Sequence, residues 1–295
     1  MPLPKDLAAS VEWVDEGVGL LKPAAGHPGA ASLVLDEGSE VVLVDAGLAP
    51  AQRRKLSPHV DVCLLTHAHV PHAHGARDFR EVWAPREEAR ALLSAEDFLE
   101  TYEVARRDRD VVSSAIRKAG YEPSPVHKQM RPGGILKLDR SEWHLLAAPG
   151  HSPGMLALLD PVRHILFAAD LDEENAAWYG FPNSDPTALE ATAMQLADVP
   201  VAVLLASHAA PRRRGIKQML RGVAESIRER DRKVLAALEH PRSLDELADL
   251  GLCSVKSTAP LARYHERIMV EKHLARLMEK DFVAARQDGR FQRVA

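Results

Sequence analysis

The sequence has little cysteine: two residues in 295, Cys63 and Cys253, far apart. That excludes a disulfide-framed scaffold and any Cys-x-x-Cys pair, and it points to a reduced, cytoplasmic protein. No apolar run approaches the ~20 residues needed to span a bilayer. The opening MPLPKDLAAS lacks the apolar centre of a signal peptide, so neither a membrane nor export is expected. A Gly-rich nucleotide loop, a Ser-His-Asp pattern, internal repeats and a low-complexity linker are missing too. What remains is an ordinary globular composition, 46% hydrophobic and 27% charged, long enough for one large domain or a large one plus a small one.

The net charge of −4 is unevenly spread. Residues 1–210 hold 19 Lys and Arg against 30 Asp and Glu, whereas residues 211–295 hold 19 against 12. An acidic body with a basic appendage fits this pattern. The appendage reads as a solvated helix surface, and nucleic-acid contact through its basic side chains stays open as the alternative.

Short β-favouring segments, Val18–Lys22, Ala31–Asp36 and Glu40–Val44, precede Val60–Thr66. The last is a nearly continuous apolar run, as expected of a strand buried on both faces, with Cys63 as a small core residue. From Arg86 to Gly120 the chain is rich in Ala, Glu, Arg and Leu without internal Gly or Pro, and reads as two or more helices. Strands are expected again at Ile135–Leu138, Trp143–Ala148, Met155–Leu159, Ile165–Ala169 and Val201–Ala206. Asp185 should cap a helix over Pro186–Ala197, and Gly215–Leu238 keeps the apolar spacing of a helix. Residues 241–295 read as a small module. Ser243 and Glu246 match a capping box, a second helix should run from near Pro260 to about Lys280, and Asp288-Gly289 marks a hairpin. Helix, helix, hairpin is the order of a winged helix.

Histidine is where the sequence is dense. Of fourteen, four fall within eight residues, His67, His69, His72 and His74, directly after the buried strand. A strand end that delivers imidazoles into a loop builds a metal site on a rigid frame. Imidazole suits zinc or iron, and His67 and His69 can converge on one ion if the loop curls. Three further polar residues stand where an apolar strand stops: His151 within Ala148-Pro149-Gly150-His151-Ser152-Pro153-Gly154, Asp170 after ILFAA, and His208 after VAVLLAS. Singly each could cap or turn the chain. Four strand ends carrying His, His, Asp and His are hard to explain as caps.

Taken in order, these motifs resemble the metallo-β-lactamase-fold hydrolase superfamily. They are Leu43-Val44-Asp45-Ala46-Gly47, the loop from Thr66 to His72, the turn Gly150-His151-Ser152-Pro153-Gly154, Asp170 and His208, and the likeness spans roughly residues 10–240. It implies an α/β fold, an αββα sandwich over residues 1–240 with a helical insertion at about 86–120 and metals at one edge between two sheets. The tail, 241–295, resembles the winged-helix-like module of one branch. The resemblance implies a first metal site of His67, His69 and His151, a bridging Asp170, and a second site served by His72 and His208. Asp45 would orient the histidine loop. Zinc, one ion or two, is the implied cofactor, with iron as the alternative.

The chain departs from that pattern at Pro71, where the family carries an aspartate ligand. Proline offers no side-chain donor or acceptor, so the second metal should be held more weakly. Asp172, Glu173 and Glu174 could supply an oxygen ligand or a base, and His74 is expected to face solvent. A metal with three protein ligands and an open position activates water and polarises a carbonyl. The expected function is therefore metal-dependent hydrolysis of a small-molecule ester, thioester or lactone, with catalysis resting on Asp170, His72 and His208. The insertion could roof the site, and Trp178, Tyr179 and Phe181 could form an apolar wall. Two alternatives remain. One is a mononuclear iron oxygenase resembling persulfide dioxygenases, using His67, His151 and Asp170. The other is a metal-dependent ribonuclease whose Arg212-Arg213-Arg214 run meets phosphates. Acidic Glu266, Glu271 and Glu279 in the tail speak against the ribonuclease. A homodimer through Gly215–Leu238 or the tail stays open.

Overall fold

Short apolar runs, buried on both faces, build the larger sheet. The computed structural model describes residues 3–172, 177–254 and 256–294, so Glu173 and Glu174 lie outside the described residues. Seven strands, β1 (Val11–Asp15), β2 (Val18–Leu21), β3 (Ser32–Asp36), β4 (Val41–Val44), β5 (Val62–Leu64), β6 (Val82–Pro85) and β7 (Lys128–Met130), lie side by side in chain order. Val18, Leu20, Leu33, Leu35, Val42, Val44 and Leu64 point to one face, while Leu21, Val34, Leu43 and Cys63 point to the other. Both faces are buried, which is why these strands read as unbroken apolar runs.

The first face packs on a second sheet of β8 (Ile135–Lys137), β9 (Glu142–Ala147), β10 (Leu156–Asp160), β11 (Ile165–Phe167) and β12 (Val203–Leu205), ordered β12-β11-β10-β9-β8. Trp143, Leu145, Leu156 and Leu158 supply its side of the shared core. Helices complete the layers: α1 (Lys5–Ala8), α2 (Pro50–Leu56), α3 (Val70–Ala73), α4 (Ala95–Thr101) and α5 (Arg109–Lys118) belong with the larger sheet, and α6 (Pro186–Ala197) and α7 (Ile216–Ala237) with the smaller. The expected αββα sandwich and its helical insertion are thus present. Asp185 caps α6, accepting from the Thr187 and Ala188 amides. No helix among the described residues is long and apolar enough to cross a membrane.

The tail forms α8 (Leu244–Ala248), α9 (Pro260–Glu279) and a hairpin of β13 (Val283–Ala285) with β14 (Phe291–Arg293). Ser243 and Glu246 make the reciprocal capping box, at 2.7 and 3.2 Å. Yet α9 has no core of its own: Met269, Val270, Leu274 and Leu277 enter the same cluster as Phe167 and Leu205. Polar ties reinforce the seam. Asp231 of α7 accepts from His273 Nδ1 at 2.6 Å and from Arg276 at 3.0 Å, and Lys272 donates to the Phe181 carbonyl at 2.5 Å and to Ser184 Oγ at 2.7 Å.

Strand direction places the site. β4 and β5 run parallel, as do β11 and β12, and β9 shares the direction of β11 because both pair antiparallel with β10. Their C-terminal ends therefore gather the five segments that carry Asp45, the histidine loop, His151, Asp170 and His208. Two hydrogen bonds fasten the sheets at this edge, Leu156 N to Thr66 O at 3.0 Å and Ala31 N to Ser207 O at 2.9 Å.

Candidate metal centre

β4 ends in a reversal at Asp45, whose φ of 66° is left-handed. For a non-glycine residue that costs about 1–3 kcal/mol, and what it achieves is the aim of a buried carboxylate. Asp45 accepts from Thr66 N and Thr66 Oγ1, each at 2.8 Å, and from His72 Nδ1 at 2.9 Å. Because the single Thr66 hydroxyl proton goes to Asp45, Thr66 Oγ1 accepts from His67 Nδ1 at 3.0 Å. The proton of His67 is thereby fixed on Nδ1. Its Nε2 is left as a lone pair, fully buried and without a hydrogen-bond partner.

His151 is fixed in the same sense by a different partner. Gly150 turns the chain at φ 123°, where an added Cβ would lie 2.2 Å from the Leu189 backbone nitrogen, so only glycine lets this turn sit against α6. His151 Nδ1 then donates to the Trp178 carbonyl at 3.0 Å. Its Nε2 faces His69 Nδ1 at 2.8 Å and Asp170 Oδ2 at 3.2 Å. Ligand atoms of His67, His69 and His151 all lie within 4.8 Å of one another, and so do those of His67, His72 and Asp170. Burial, with the other imidazoles close by, pulls the pKa values of His67 and His69 well below the ordinary 6.5 and that of His151 below it. These rings are neutral, the form that binds metal.

Asp170 stands between the groups, 2.9 Å from His72 Nε2 and 3.5 Å from His208 Nε2. Burial alone would raise its pKa, but His72 and His151 hold it well below the carboxylate range. His72 is squeezed between Asp170 and Asp45; against burial, the two carboxylates raise its pKa to about 10. His208 is further out, with 27% of its side chain exposed, and is in neither tight group. Pro71 lines the cavity above and contributes only a backbone carbonyl, which accepts from Ala30 N at 2.9 Å.

Glu88 is a residue that sequence reasoning does not single out. It is fully buried just after β6 and accepts from Ala68 N at 2.8 Å, Tyr102 Oη at 2.6 Å, Gly154 N at 2.8 Å and Ser152 Oγ. One carboxylate thus joins the loop bearing His67 and His69, the turn bearing His151, and the insertion. Glu88 falls within Arg86–Gly120, which reads as helical, and no local pattern marks it out.

Two expectations need correction. His74 does not face solvent: it is buried, donates from Nδ1 to the Val70 carbonyl at 3.0 Å, and meets His27 Nε2 at 3.0 Å. The turn of α3 rotates it away from the other three histidines. Tyr179 is no pocket wall either; its hydroxyl lies 2.7 Å from His273 Nε2 and accepts from Arg230 at 3.0 Å, in the seam under α9. Trp178 and Phe181 do line a cavity next to the histidines, as do Phe98, Val112 and Ile116 of the insertion. Leu261 and His265 of α9 join them unannounced. A polar residue at the i+4 position from Leu261, on the buried side of a helix, was the available signal.

The comparisons with known proteins agree with this geometry. Residues 25–208 match the family model described as the Metallo-beta-lactamase superfamily. The chain is 28% identical over 133 residues to the acyl-coenzyme A thioesterase MBLAC2 of Gallus gallus, covering 43% of this chain and 47% of that protein. It is 25% identical over 151 residues to the hydroxyacylglutathione hydrolase GloC of Haemophilus influenzae, covering 48% and 65%. In both cases less than two thirds of the relative's length is spanned. A metallo-beta-lactamase family protein from Thermus thermophilus shares the fold, with a TM-score of 0.74 at 21% identity over 96% of this chain and 100% of that one.

Proposed function

Because the chain belongs to the metallo-beta-lactamase superfamily, we propose that it is a divalent-metal-dependent hydrolase of a small ester, thioester or lactone. The observation that carries this reading is a nest of acceptors. His69 Nδ1 can donate to the His151 Nε2 lone pair at 2.8 Å, which leaves His69 Nε2, like His67 Nε2, a buried lone pair without a partner, with Asp170 Oδ2 3.2 Å from His151 Nε2. Neutral protein groups leave such a cluster unsatisfied, and a cation satisfies it. His67, His69 and His151 would hold a first ion, with Asp170 reaching toward a second position served by His72 and His208. A bound divalent metal supplies a Lewis acid for the carbonyl oxygen and lowers the pKa of water at the site.

The protein's own part is positioning. Asp45 turns His72 toward Asp170, and Thr66 and the Trp178 carbonyl fix which nitrogen of His67 and His151 is free. Phe98, Ile116, Trp178 and Phe181 keep water from the acyl side of the cavity. The names of both curated relatives describe acyl hydrolysis, which supports an acyl group as the reacting part.

Plasma mass spectrometry of the purified protein, together with hydrolysis of neutral esters, thioesters and lactones, tests the reading. About one tightly held divalent ion per chain is expected, since Pro71 leaves the second position short of a carboxylate, and chelation should abolish turnover. A protein that neither contains nor takes up metal, or that hydrolyses none of these compounds when loaded, would overturn it. Iron with oxygen consumption would replace it with the oxygenase alternative.

A further inference from the structure

The cavity beside the histidines encloses about 320 Å³. Among the described residues no lysine or arginine lines it, and its walls are Phe98, Val112, Ile116, Trp178, Phe181 and Leu261. Away from the metal centre, an acyl group carrying a carboxylate or phosphate would therefore meet no lysine or arginine among the described residues, and burying one unpaired is heavily unfavourable. Among the described residues, apart from the metal centre and the indole N–H of Trp178, one polar side chain lines this space: His265 of α9.

The state of His265 follows from its contacts. Nδ1 lies 2.9 Å from the Gly180 carbonyl, which can only accept, so Nδ1 carries the proton. Trp178 and Phe181 hold the ring edge-on at centroid distances of 4.9 and 5.3 Å. Burial lowers its pKa to about 4, which keeps the ring neutral near pH 7. In a neutral imidazole with Nδ1 protonated, Nε2 is an acceptor, and no donor among the described residues meets it. Extending the hydrolase reading above, on which this rests, we propose that the cavity takes an uncharged, apolar acyl group bearing one hydroxyl or amide N–H. His265 is the specificity-determining residue that accepts its hydrogen bond.

The test separates recognition from turnover. Binding of neutral octanamide and of its 3-, 5- and 7-hydroxy forms to the full-length, metal-loaded protein is measured by calorimetry, alongside hydrolysis of the matching N-acetylcysteamine thioesters. At least one hydroxylated form should bind about tenfold more tightly than the plain one, the scale of leaving a buried acceptor unpaired. In His265→Asn the side-chain amide can still donate to Gly180 but offers nothing at the Nε2 position. The preference should vanish there through KM, with kcat, metal content and melting temperature unchanged. His265→Gln, whose amide oxygen reaches the Nε2 position, should restore part of it. Equal binding of all the amides to the wild-type protein, or an unchanged preference in His265→Asn, overturns the inference. Intact binding preferences without any thioester turnover overturn the hydrolase reading instead.

Discussion

Replacing Glu88 by glutamine swaps one acceptor oxygen for an NH2 group at the point where three segments meet. In the native arrangement one oxygen serves Ala68 N and Tyr102 Oη, and the other serves Gly154 N and Ser152 Oγ. A hydroxyl can rotate and accept from the new NH2, but a backbone N–H cannot. Whichever way the amide turns, the Ala68 or the Gly154 amide is stranded in a site with no solvent access. A stranded buried donor costs about 1–3 kcal/mol. At about 2–4 °C per kcal/mol for chains somewhat shorter than this one, the metal-free protein should melt several degrees lower. The metal readout is more telling. Ala68 lies between His67 and His69, and Gly154 closes the turn of His151, so loss of the clamp loosens the first ligand set. Zinc affinity, measured by competition with a chromogenic chelator, should fall on the scale of the ~10–100-fold known for groups that orient metal ligands. Affinity within about twofold of wild type, in a variant that melts lower, would refute the clamp and leave Glu88 a packing residue.

Three further outcomes are expected. Pro71→Asp restores a carboxylate beside His72, and metal content by plasma mass spectrometry should rise from about one ion per chain toward about two. Removal of metal with a chelator should lower the melting temperature, since an ion that binds only the folded chain stabilises it by about 2.7 kcal/mol at a hundred times its Kd; an unchanged melting temperature would mean that the acceptor nest is satisfied without metal. Burial would raise the pKa of Asp231, but His273 and Arg276 hold it below the ordinary 3.8. The stability it lends is present above the unfolded pKa and lost as pH falls through the folded one. The melting-temperature gap between wild type and Asp231→Asn should therefore be wide at pH 7 and narrow below about pH 4.

The histidine cluster is legible because its signal is local: imidazoles at a strand end, with His151 added in a turn that needs glycine. The capping box at Ser243 and the cap at Asp185 are legible for the same reason, since each contact closes within three residues. Glu88 is not, because its partners Ser152 and Gly154 lie more than sixty residues away. His74 defeats the sequence reading because one turn of α3 separates it from the ligand face, and periodicity alone does not say which side of a four-residue helix is wet. β7 escapes it because two of its three residues, Lys128 and Gln129, are exposed, and it shows no apolar alternation. The tail is legible as helices and a hairpin, but what α9 packs on depends on side chains from elements as distant in sequence as α5 and α7.

The position of α9 also sets an order of assembly during synthesis. The proposed metal ligands, from His67 to His208, have all been made once His208 is in the chain, whereas Leu261 and His265 follow only later. At about 5–20 residues per second that gap is roughly 3–11 s. A nascent chain, or one cut short before Pro260, can gather its histidines and Asp170 while the cavity still lacks one wall. Such a chain could load metal while it still lacks selectivity, and its unfinished core would expose Phe167, Leu205 and Phe181 to whatever apolar surface is near. On the reading proposed above, reactivity and selectivity mature in sequence, since α9 completes both the core and the cavity wall.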